Sequence, residues 1–403
     1  MGAAGHGATH LNHLVALAAA GRIRLAGVCD VRPVPLPDGV PAFTDHRQLL
    51  ADVAPQVLVI CTPPHTHLPI ALDAVAAGCD LLLEKPPVLS LAEHSELARA
   101  LADSGRVCQV GFQALGSPAL ARLVDAIAAG RLGTVTSVAG VGAWWRPDAY
   151  FTRASWTARR VLDGRRVLDG AIANPFAHAL MDCLVLASAA GAGWPEAFAV
   201  ERYRVLDQEV EDTACLRLRL ARGFDVTLAV SLRSDTFIPG DITVTGTGGE
   251  AFLEYPTDRL RMPGQSMPVP VPGRIDLLEN LLDYRAARND AACGDAARGD
   301  AACGDARAAG SVGGGVRLLV PLAATAAFTA VVDALAGGPP PDPIAPAHCA
   351  LHNGENAIAG IATTVRRAGD ERAMFTELRV PWATNAWRST VSTMEGTDAK
   401  VEP

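Results

Sequence analysis

Lysine is nearly absent from this chain. Of 35 basic residues among 403, two are lysines, Lys85 and Lys400, and the rest are arginine. With abundant alanine, glycine and proline, this reads as drift toward GC-rich codons, which makes a retained lysine in the folded body informative. Lys400 stands near the end and carries no such signal. Excess positive charge is also missing: the net charge of −8 leaves no basic surface to recruit nucleic acid or an anionic membrane. Long apolar runs are missing too. Residues 14–20 are apolar but follow no Lys or Arg, so they do not read as a signal peptide. Residues 318–332 are broken by Pro321, are too short to cross a bilayer, and read as a core helix. The nine cysteines are an odd number with no CxxC pair, the usage of free thiols in a reducing cytoplasm. His65 and His67 near Cys61 lack a second ligand cluster at structural-site spacing, so no metal site is expected. What is present is 49% hydrophobic and 19% charged residues, which excludes a mainly disordered chain and implies two or three domains.

Across residues 25–112, short apolar runs (25–29, 57–61, 79–83, 106–112) alternate with helix-like stretches (45–52, 68–77, 91–104). Strands apolar on both faces belong to a parallel sheet covered on each side, which predicts a doubly wound α/β domain over residues 1–115. After Pro118 a helix (119–129) and a strand (134–145) lead to a helix near 174–187. Strands with period-two alternation follow, TACLRLRL over Thr213–Leu220 and FDVTLAVSL over 224–232, then strands at 241–245 and 250–255. Alternation predicts an open, mainly antiparallel sheet with one face packed and one face wet or at a partner interface. This sheet is assigned to an α+β domain over residues 116–385. Residues 286–315 hold a near-repeat, DAACGDAARGDAACGDA, with almost no large apolar residue, and are expected to be a disordered insertion. Residues 386–403 read as a tail.

The chain begins Met1-Gly2-Ala3-Ala4-Gly5-His6-Gly7, which fits G-x-A-x-x-G on Gly2, Ala4 and Gly7, with Gly5 and His6 between. In so glycine- and alanine-rich a chain the fingerprint is weak alone. Context strengthens it: a helix follows, then a strand, then Asp30, 23 residues after Gly7, near the expected place of a ribose-binding acid. Small residues let backbone approach a pyrophosphate, and the helix N-terminus presents free N–H groups. Asp30 favours NAD, while Arg32 suits the 2′-phosphate of NADP, so the choice stays open. Only Met1 precedes the fingerprint, whereas a strand should. The expectation is that this central strand is missing from the sequence as it stands and that the natural protein starts upstream.

Residues 57–87 read VLVICTPPHTHLPIALDAVAAGCDLLLEKPP: a buried strand, a TPPHTH loop, a helix, a second buried strand, then Glu84-Lys85-Pro86. The order of Gly-rich turn, Cys29-Asp30, TPP-x-x-H and EKP closely resembles the Gfo/Idh/MocA oxidoreductases, mostly NAD(P)-dependent sugar and polyol dehydrogenases. Gly130-Arg131-Leu132-Gly133 matches that family's G-x-I-G junction. The resemblance implies that Lys85 faces nicotinamide and substrate. It also implies that Glu84 and the loop carrying Thr62, Pro63, Pro64 and His67 flank the cofactor, and that Pro86 fixes the turn. Physics agrees on Lys85, because arginine's planar fork cannot replace a compact point donor with a tunable pKa.

Family members carry D-x-x-x-H at a helix start. Here the matching run is Leu168-Asp169-Gly170-Ala171-Ile172-Ala173-Asn174-Pro175-Phe176-Ala177-His178. By the resemblance His178 is the acid/base histidine, with Asn174 where the aspartate is expected. Four-residue spacing places Asn174, His178 and Asp182 on one helix face, so Asp182 is a candidate to stabilise the imidazolium. Trp145, Arg146, Tyr150, Arg153 and Trp156 lie in the region that relatives use for substrate, and suit a sugar ring or sugar acid. The family's GF-x-x-RF appears as Gly111-Phe112-Gln113-Ala114-Leu115-Gly116, with Gln113 taken as substrate-binding and the arginine absent.

The expectation is a cytoplasmic NAD(P)-dependent dehydrogenase of a carbohydrate-like secondary hydroxyl. It carries no metal, binds neither nucleic acid nor membrane, and forms a homo-oligomer through the open sheet. Two rival classes remain, an NAD-dependent glycoside hydrolase of the same fold and a non-catalytic dinucleotide- or sugar-binding protein.

Overall fold

The computed structural model describes residues 1–298 and 315–393, with backbone alone over 291–298. The chain divides into two compact units. The first comprises Met1–Val88, Ala92–Phe112 and Asp276–Thr325; the second comprises Leu89–Leu91, Gln113–Ile275 and Ala326–Pro403. The chain passes between the units at 88/89, 91/92, 112/113, 275/276 and 325/326, whereas the sequence reading sets a single boundary at 115/116 and does not anticipate the return of Asp276–Thr325 to the first unit.

In the first unit, parallel strands alternate with helices: α1 (Gly7–Ala19), β1 (Val28–Cys29), β2 (Ala42–Phe43), α2 (His46–Val53), β3 (Val57–Ile60), α3 (His67–Ala76), β4 (Asp80–Leu83), α4 (Leu91–Ser104) and β5 (Cys108–Val110). β3, β4 and β5 form one parallel sheet, and β1 pairs with β2 in another. Strand β4 is buried along its whole length, as its unbroken Leu81-Leu82-Leu83 run requires. Asp45 caps α2 by accepting from the Arg47 N–H, satisfying a donor the helix cannot. A helix over Leu277–Arg298 corrects the expectation of disorder from residue 286. Leu277, Leu278, Leu281 and Tyr284 bury one face, and the alanines and arginines that follow are strong helix formers that need no large apolar side chain. Its Arg285 and Arg288 both pair with the buried Asp80 carboxylate. Residues 299–314, the rest of the expected insertion, lie outside the described residues.

The second unit is built on a ten-stranded sheet. The helix α5 (Pro118–Ala128) precedes β6 (Val135–Trp145); a short helix α6 (Asp148–Phe151) and a hairpin β7–β8 (Val161–Leu162, Arg165–Arg166) lead to α7 (Ala177–Ala189). Then come β9 (Pro195–Arg204), β10 (Thr213–Leu220), β11 (Asp225–Ser231), β12 (Arg233–Gly246) and β13 (Gly249–Glu254). Pairing is antiparallel except between β11 and β6 and between Asp342–Pro343 and β9. No helix among the described residues is long and apolar enough to cross a membrane.

Alternation along β6 assigns the two faces. A Cβ at Gly140 or Gly142 would collide with Cys183 Sγ at 2.9 Å or the Phe176 ring at 2.2 Å, so even positions press against α7. Val141 and Ala143 point the other way, into a core with Cys215, Ala229, Ile361, Val365 and Phe375. The middle of the second face is covered by the chain's own helix Ile361–Glu371 and the segment after it, while Arg219, Asp225 and Glu250 toward its ends are exposed. The tail also needs correction: Trp387–Thr390 forms a strand antiparallel to β9, with the Trp387 ring against Phe198, centroids 5.1 Å apart. Residues 394–403 lie outside the described residues.

Candidate active site

In the first unit the site begins at the Gly-rich turn. Gly2 has φ +72°, and a Cβ there would stand 2.4 Å from the Cys61 carbonyl oxygen; a Cβ on Gly7 would stand 1.7 Å from the Gly2 carbonyl oxygen. Only glycine folds this turn so tightly. Above Gly5 nothing lies within 4 Å of a Cβ position, so the space over the turn at the N-terminus of the 13-residue α1 is open. That cradle fits the pyrophosphate of a dinucleotide. Asp30, at the end of β1, accepts from the Ala3 and Ala4 N–H groups at 2.8 and 3.0 Å and from the Arg32 N–H at 2.9 Å. Its first task is to hold the turn, and of the roughly four acceptor sites of a carboxylate about one is left for a ribose hydroxyl. Arg32 is largely exposed, its Nε 3.8 Å from Asp30.

Glu84, Lys85 and Pro86 follow β4 at its C-terminal end, where ligands of doubly wound sheets sit; the Lys85–Pro86 bond is cis. Glu84 is buried, and Gly111 makes room for it, since a Cβ there would stand 2.7 Å from the carboxylate. His10 Nε2 lies 2.8 Å from Glu84 Oε1 and His6 Nε2 3.7 Å. Burial alone would raise the Glu84 pKa, but the hydrogen bonds and charge of His10 and His6 hold it well below the usual carboxylate range. The same hydrogen bond to Glu84 raises His6. Glu84 in turn accepts from the Lys85 backbone N–H at 3.2 Å, fixing the half-buried lysine through its main chain. His10 was missed from the sequence, although its position one turn into α1, on the helix that opens the fingerprint, was a usable signal. No metal cluster was expected there either. The fold gathers His6, His10 and Glu84 with their ligand atoms within 4.8 Å of one another, an arrangement an ion pair accounts for.

His67 does not face a ligand. It is 1% exposed, with Nδ1 2.9 Å from the Pro86 carbonyl and Nε2 2.8 Å from the Thr62 carbonyl. It ties the Thr62-Pro63-Pro64 loop to the lysine turn, a positioning task that corrects its assignment as a cofactor contact. The Thr66 hydroxyl donates to Thr62 Oγ1 at 2.7 Å and closes the same loop.

In the second unit, Asn174 stands in the turn before α7. It donates through Nδ2 to Asp169 Oδ1 at 2.5 Å. Asp169, buried, also accepts from the Ala158 N–H at 2.9 Å and lies 3.7 Å from Arg153. A carboxylate thus stands against position 174 after all, that of Asp169 five residues earlier, a residue inside the quoted run that the sequence reading passed over. His178 is half-buried on α7, its ring 6.5 Å from that of Tyr255, centroid to centroid. Asp182 is fully buried, and neither carboxyl oxygen has a hydrogen-bond partner among the described residues. Burial pushes its pKa far up, with Arg274 opposing and Asp258 adding. Burial disfavours its charged form, which argues against Asp182 as the charge partner of an imidazolium.

Arg146 lies 4.9 Å from the centre of the Trp144 ring and 5.3 Å from that of Tyr150; Arg153 lies 3.8 Å from Tyr150 and 5.4 Å from Trp156. Two guanidinium groups thus flank one tyrosine, whose pKa burial raises. Trp145 is not part of this group. Alternation turns it to the opposite face, where it packs on the buried Arg233 at 5.0 Å and on His352 at 4.7 Å. Trp144, packed on Phe176 at 4.2 Å with its Nε1 donating to the Pro239 carbonyl, shares the face of α7. Gln113 opens a short helical turn, its carbonyl accepting from Arg274 at 2.9 Å.

Two family models match the chain. "Oxidoreductase family, NAD-binding Rossmann fold" covers residues 1–112, and "GFO/IDH/MocA C-terminal domain" covers residues 120–252. The chain belongs to the Gfo/Idh/MocA family. Its first unit is therefore the family's NAD-binding Rossmann domain. Among curated relatives, scyllo-inositol 2-dehydrogenase (NAD(+)) of Bacillus subtilis is 34% identical over 89 residues, 22% of this chain and 26% of that protein. Levoglucosan dehydrogenase of Pseudarthrobacter phenanthrenivorans is 28% identical over 138 residues, 34% of each chain. These matches span about a third or less of the relatives' length. The chain is also similar to the WlbA dehydrogenase of Bordetella pertussis, solved with NADH and UDP-GlcNAcA, at TM-score 0.60 and 22% identity over 80% of this chain and 90% of that one. GenD2 of gentamicin A biosynthesis, solved with NAD, has TM-score 0.54 and 27% identity over 62% and 70%.

Proposed function

We propose that the chain is an NAD(P)-dependent dehydrogenase that moves hydride between nicotinamide and a secondary hydroxyl of a sugar, polyol or sugar acid. One observation carries this reading: Glu84, anchored by His10 of the helix that opens at the Gly-rich turn, holds the Lys85 backbone. Dinucleotide cradle and lysine turn are thereby one hydrogen-bonded body. The nicotinamide, when bound, supplies the hydride acceptor. The turn from Gly2 to Gly7 holds the pyrophosphate, Asp30 takes a ribose hydroxyl with Arg32 beside it, and Thr62, Pro63 and Pro64 wall the site. Lys85 lowers the pKa of the substrate hydroxyl as a point charge, and His178 accepts its proton, with Asn174 and Asp169 setting the turn before it. Arg146, Tyr150, Arg153 and Trp156, with Trp144, hold the substrate ring and any carboxylate it bears. The test is reduction of NAD by the purified protein on a panel of inositols, hexoses and uronic acids. Alcohol-dependent NADH formation supports the reading. Sugar release from glycosides without net NADH would replace it with transient oxidation, and cofactor binding with no turnover would replace it with a sensor.

A further inference from the structure

Three guanidinium groups, those of Arg146, Arg153 and Arg233, stand along the segment that leaves β6, and they share its acids unequally. Arg233 Nη1 lies 2.8 Å from Asp148 Oδ1, and Arg153 Nη2 lies 3.7 Å from Asp169 Oδ2. Glu355 is engaged as well, accepting from the Asp148 N–H at 2.8 Å. Among the described residues Arg146 forms no ion pair. Its guanidinium donates through Nη1 to the carbonyl of Trp145, its neighbour in the chain, at 3.2 Å.

This isolation is built in. The Arg146 N–H donates to the Leu232 carbonyl at 2.9 Å, and its own carbonyl accepts from Arg233 Nη1 at 3.0 Å. Pro147, next in the chain, keeps Arg146 extended. Arg233 is fully buried, so one fixed guanidinium both anchors the Arg146 backbone and takes up Asp148, two residues further on. The rings around Arg146 do not replace a counter-ion. Its guanidinium lies over Trp144 and Tyr150, while that of Arg153 lies over Tyr150 and Trp156. Stacking uses the face of a guanidinium and leaves its N–H donors pointing outward in the plane. With a guanidinium over each of the three rings, the cluster presents N–H edges to a ligand more than aromatic faces. A planar fork of that kind matches an anion with two oxygens in one plane.

The contacts close on the turn before α7 from two directions. Through Trp144 they reach Phe176, with ring centroids 4.2 Å apart; through Arg153 and Asp169 they reach Asn174. His178 follows those two residues by two and four positions.

We propose that Arg146 is the specificity-determining residue for a carboxylate borne by the substrate, and that the substrate class is sugar acids of the hexuronate kind. The hydroxyl chemistry of that substrate rests on the dehydrogenase reading above; the carboxylate contact does not. One guanidinium without an acid matches the single charge of a carboxylate, whereas a phosphomonoester brings close to two.

The test follows NADH formation and, by titration calorimetry on the NAD-loaded protein, equilibrium binding. The probes are D-glucuronate, D-galacturonate and D-mannuronate, each beside its parent hexose and the hexose 6-phosphate. The best acid should exceed its parent hexose in kcat/KM by roughly 10- to 100-fold, the weight of hydrogen bonds to a charged group. Arg146→Gln should erase that advantage while changing kcat/KM for the hexose less than about threefold. Arg146→Lys, which keeps the charge and controls for folding, should recover part of it, because a point charge lacks the fork. Equal kcat/KM for acid and hexose, a preference for the 6-phosphate, or an equal loss on both substrates in Arg146→Gln would overturn the proposal and leave the dehydrogenase reading standing. Acids that bind at least about tenfold more weakly to Arg146→Gln, with no NADH from any sugar, would uphold the carboxylate site and remove the dehydrogenase reading. No binding of any acid would overturn the site.

Discussion

Asn174 donates its side-chain amide to the carboxylate of Asp169 across 2.5 Å. The pair joins a neutral amide to a buried charge, and that asymmetry predicts what each substitution does. Asp169→Asn removes the charge that Arg153 faces and one of the two oxygens shared by Asn174 and the Ala158 N–H, and should lower turnover in the NADH assay roughly 10- to 100-fold, the weight of a hydrogen bond to a charge. Asn174→Asp, which restores the family's residue, should not improve the protein. Two carboxylates in contact raise one pKa, so Tm should fall by about 2–5 °C at pH 8 and recover toward pH 4. Thermal melts across that range, with no pH-dependent difference, would disconnect the two residues.

Lys85→Ala should reduce turnover by about 10²–10⁴-fold while NAD affinity, measured by fluorescence titration, changes by less than about threefold. Lys85→Arg should not restore turnover, because a planar fork cannot stand in for a point charge. Near-normal rates in either variant would remove Lys85 from the chemistry.

The Glu84 cluster predicts a window of pH. The Glu84 pKa is depressed below its ordinary 4.5, so its contribution is present above 4.5 and is lost as pH falls through the folded value. His6 is raised above its ordinary 6.5, so its share is full below 6.5 and is lost as pH rises through the folded value. The Tm difference between the protein and Glu84→Gln should therefore be greatest between about pH 5 and 6.5 and shrink on either side. A difference that is flat with pH would sink the ion-pair account.

Asp182 runs the other way. Its carboxyl pKa is raised above the ordinary 3.8, so the unfolded chain gains from ionising it first, and the destabilisation grows as pH rises from 3.8 toward the folded value. Asp182→Asn should be close to neutral at pH 4 and raise Tm at pH 8. It should leave the pH profile of turnover unchanged, which a charge partner of His178 would not.

The two adjacent tryptophans should separate cleanly. Trp144→Phe should raise the KM for substrate, whereas Trp145→Phe should lower Tm, by loss of packing on Arg233 and His352, with KM unchanged.

Much of this was legible in sequence because single residues or short runs dictate it. Leu81-Leu82-Leu83 has no polar position to offer solvent, so it had to be a central strand, and EKP after it had to open onto a crevice. The helix past residue 286 was hidden because alanine and arginine support a helix without the large apolar residues that mark one. Asp169 was on the page as a letter, but its turn back to Asn174 depends on Leu168–Ile172 settling against Glu211, whose carboxylate accepts from the Ile172 N–H. The side of Trp145 was recoverable: glycines at 140 and 142 mark the face that must admit α7, and counting by two excludes 145 from it. The covering of the sheet's second face was not recoverable, because Ile361, Val365, Ala368 and Phe375 follow β11 by more than a hundred residues.

That covering has a consequence for what the C-terminal segment does. Ile361–Glu371 and the residues after it behave as a subunit the chain carries for itself. They mask a slab that would otherwise need a second molecule, and Trp387–Thr390 adds a further strand alongside β9. Removing residues 360–393 would turn a self-sheltered protein into one with an exposed apolar plate, prone to stack on its own copies. The C-terminal segment is accordingly a built-in cover for the middle of that face.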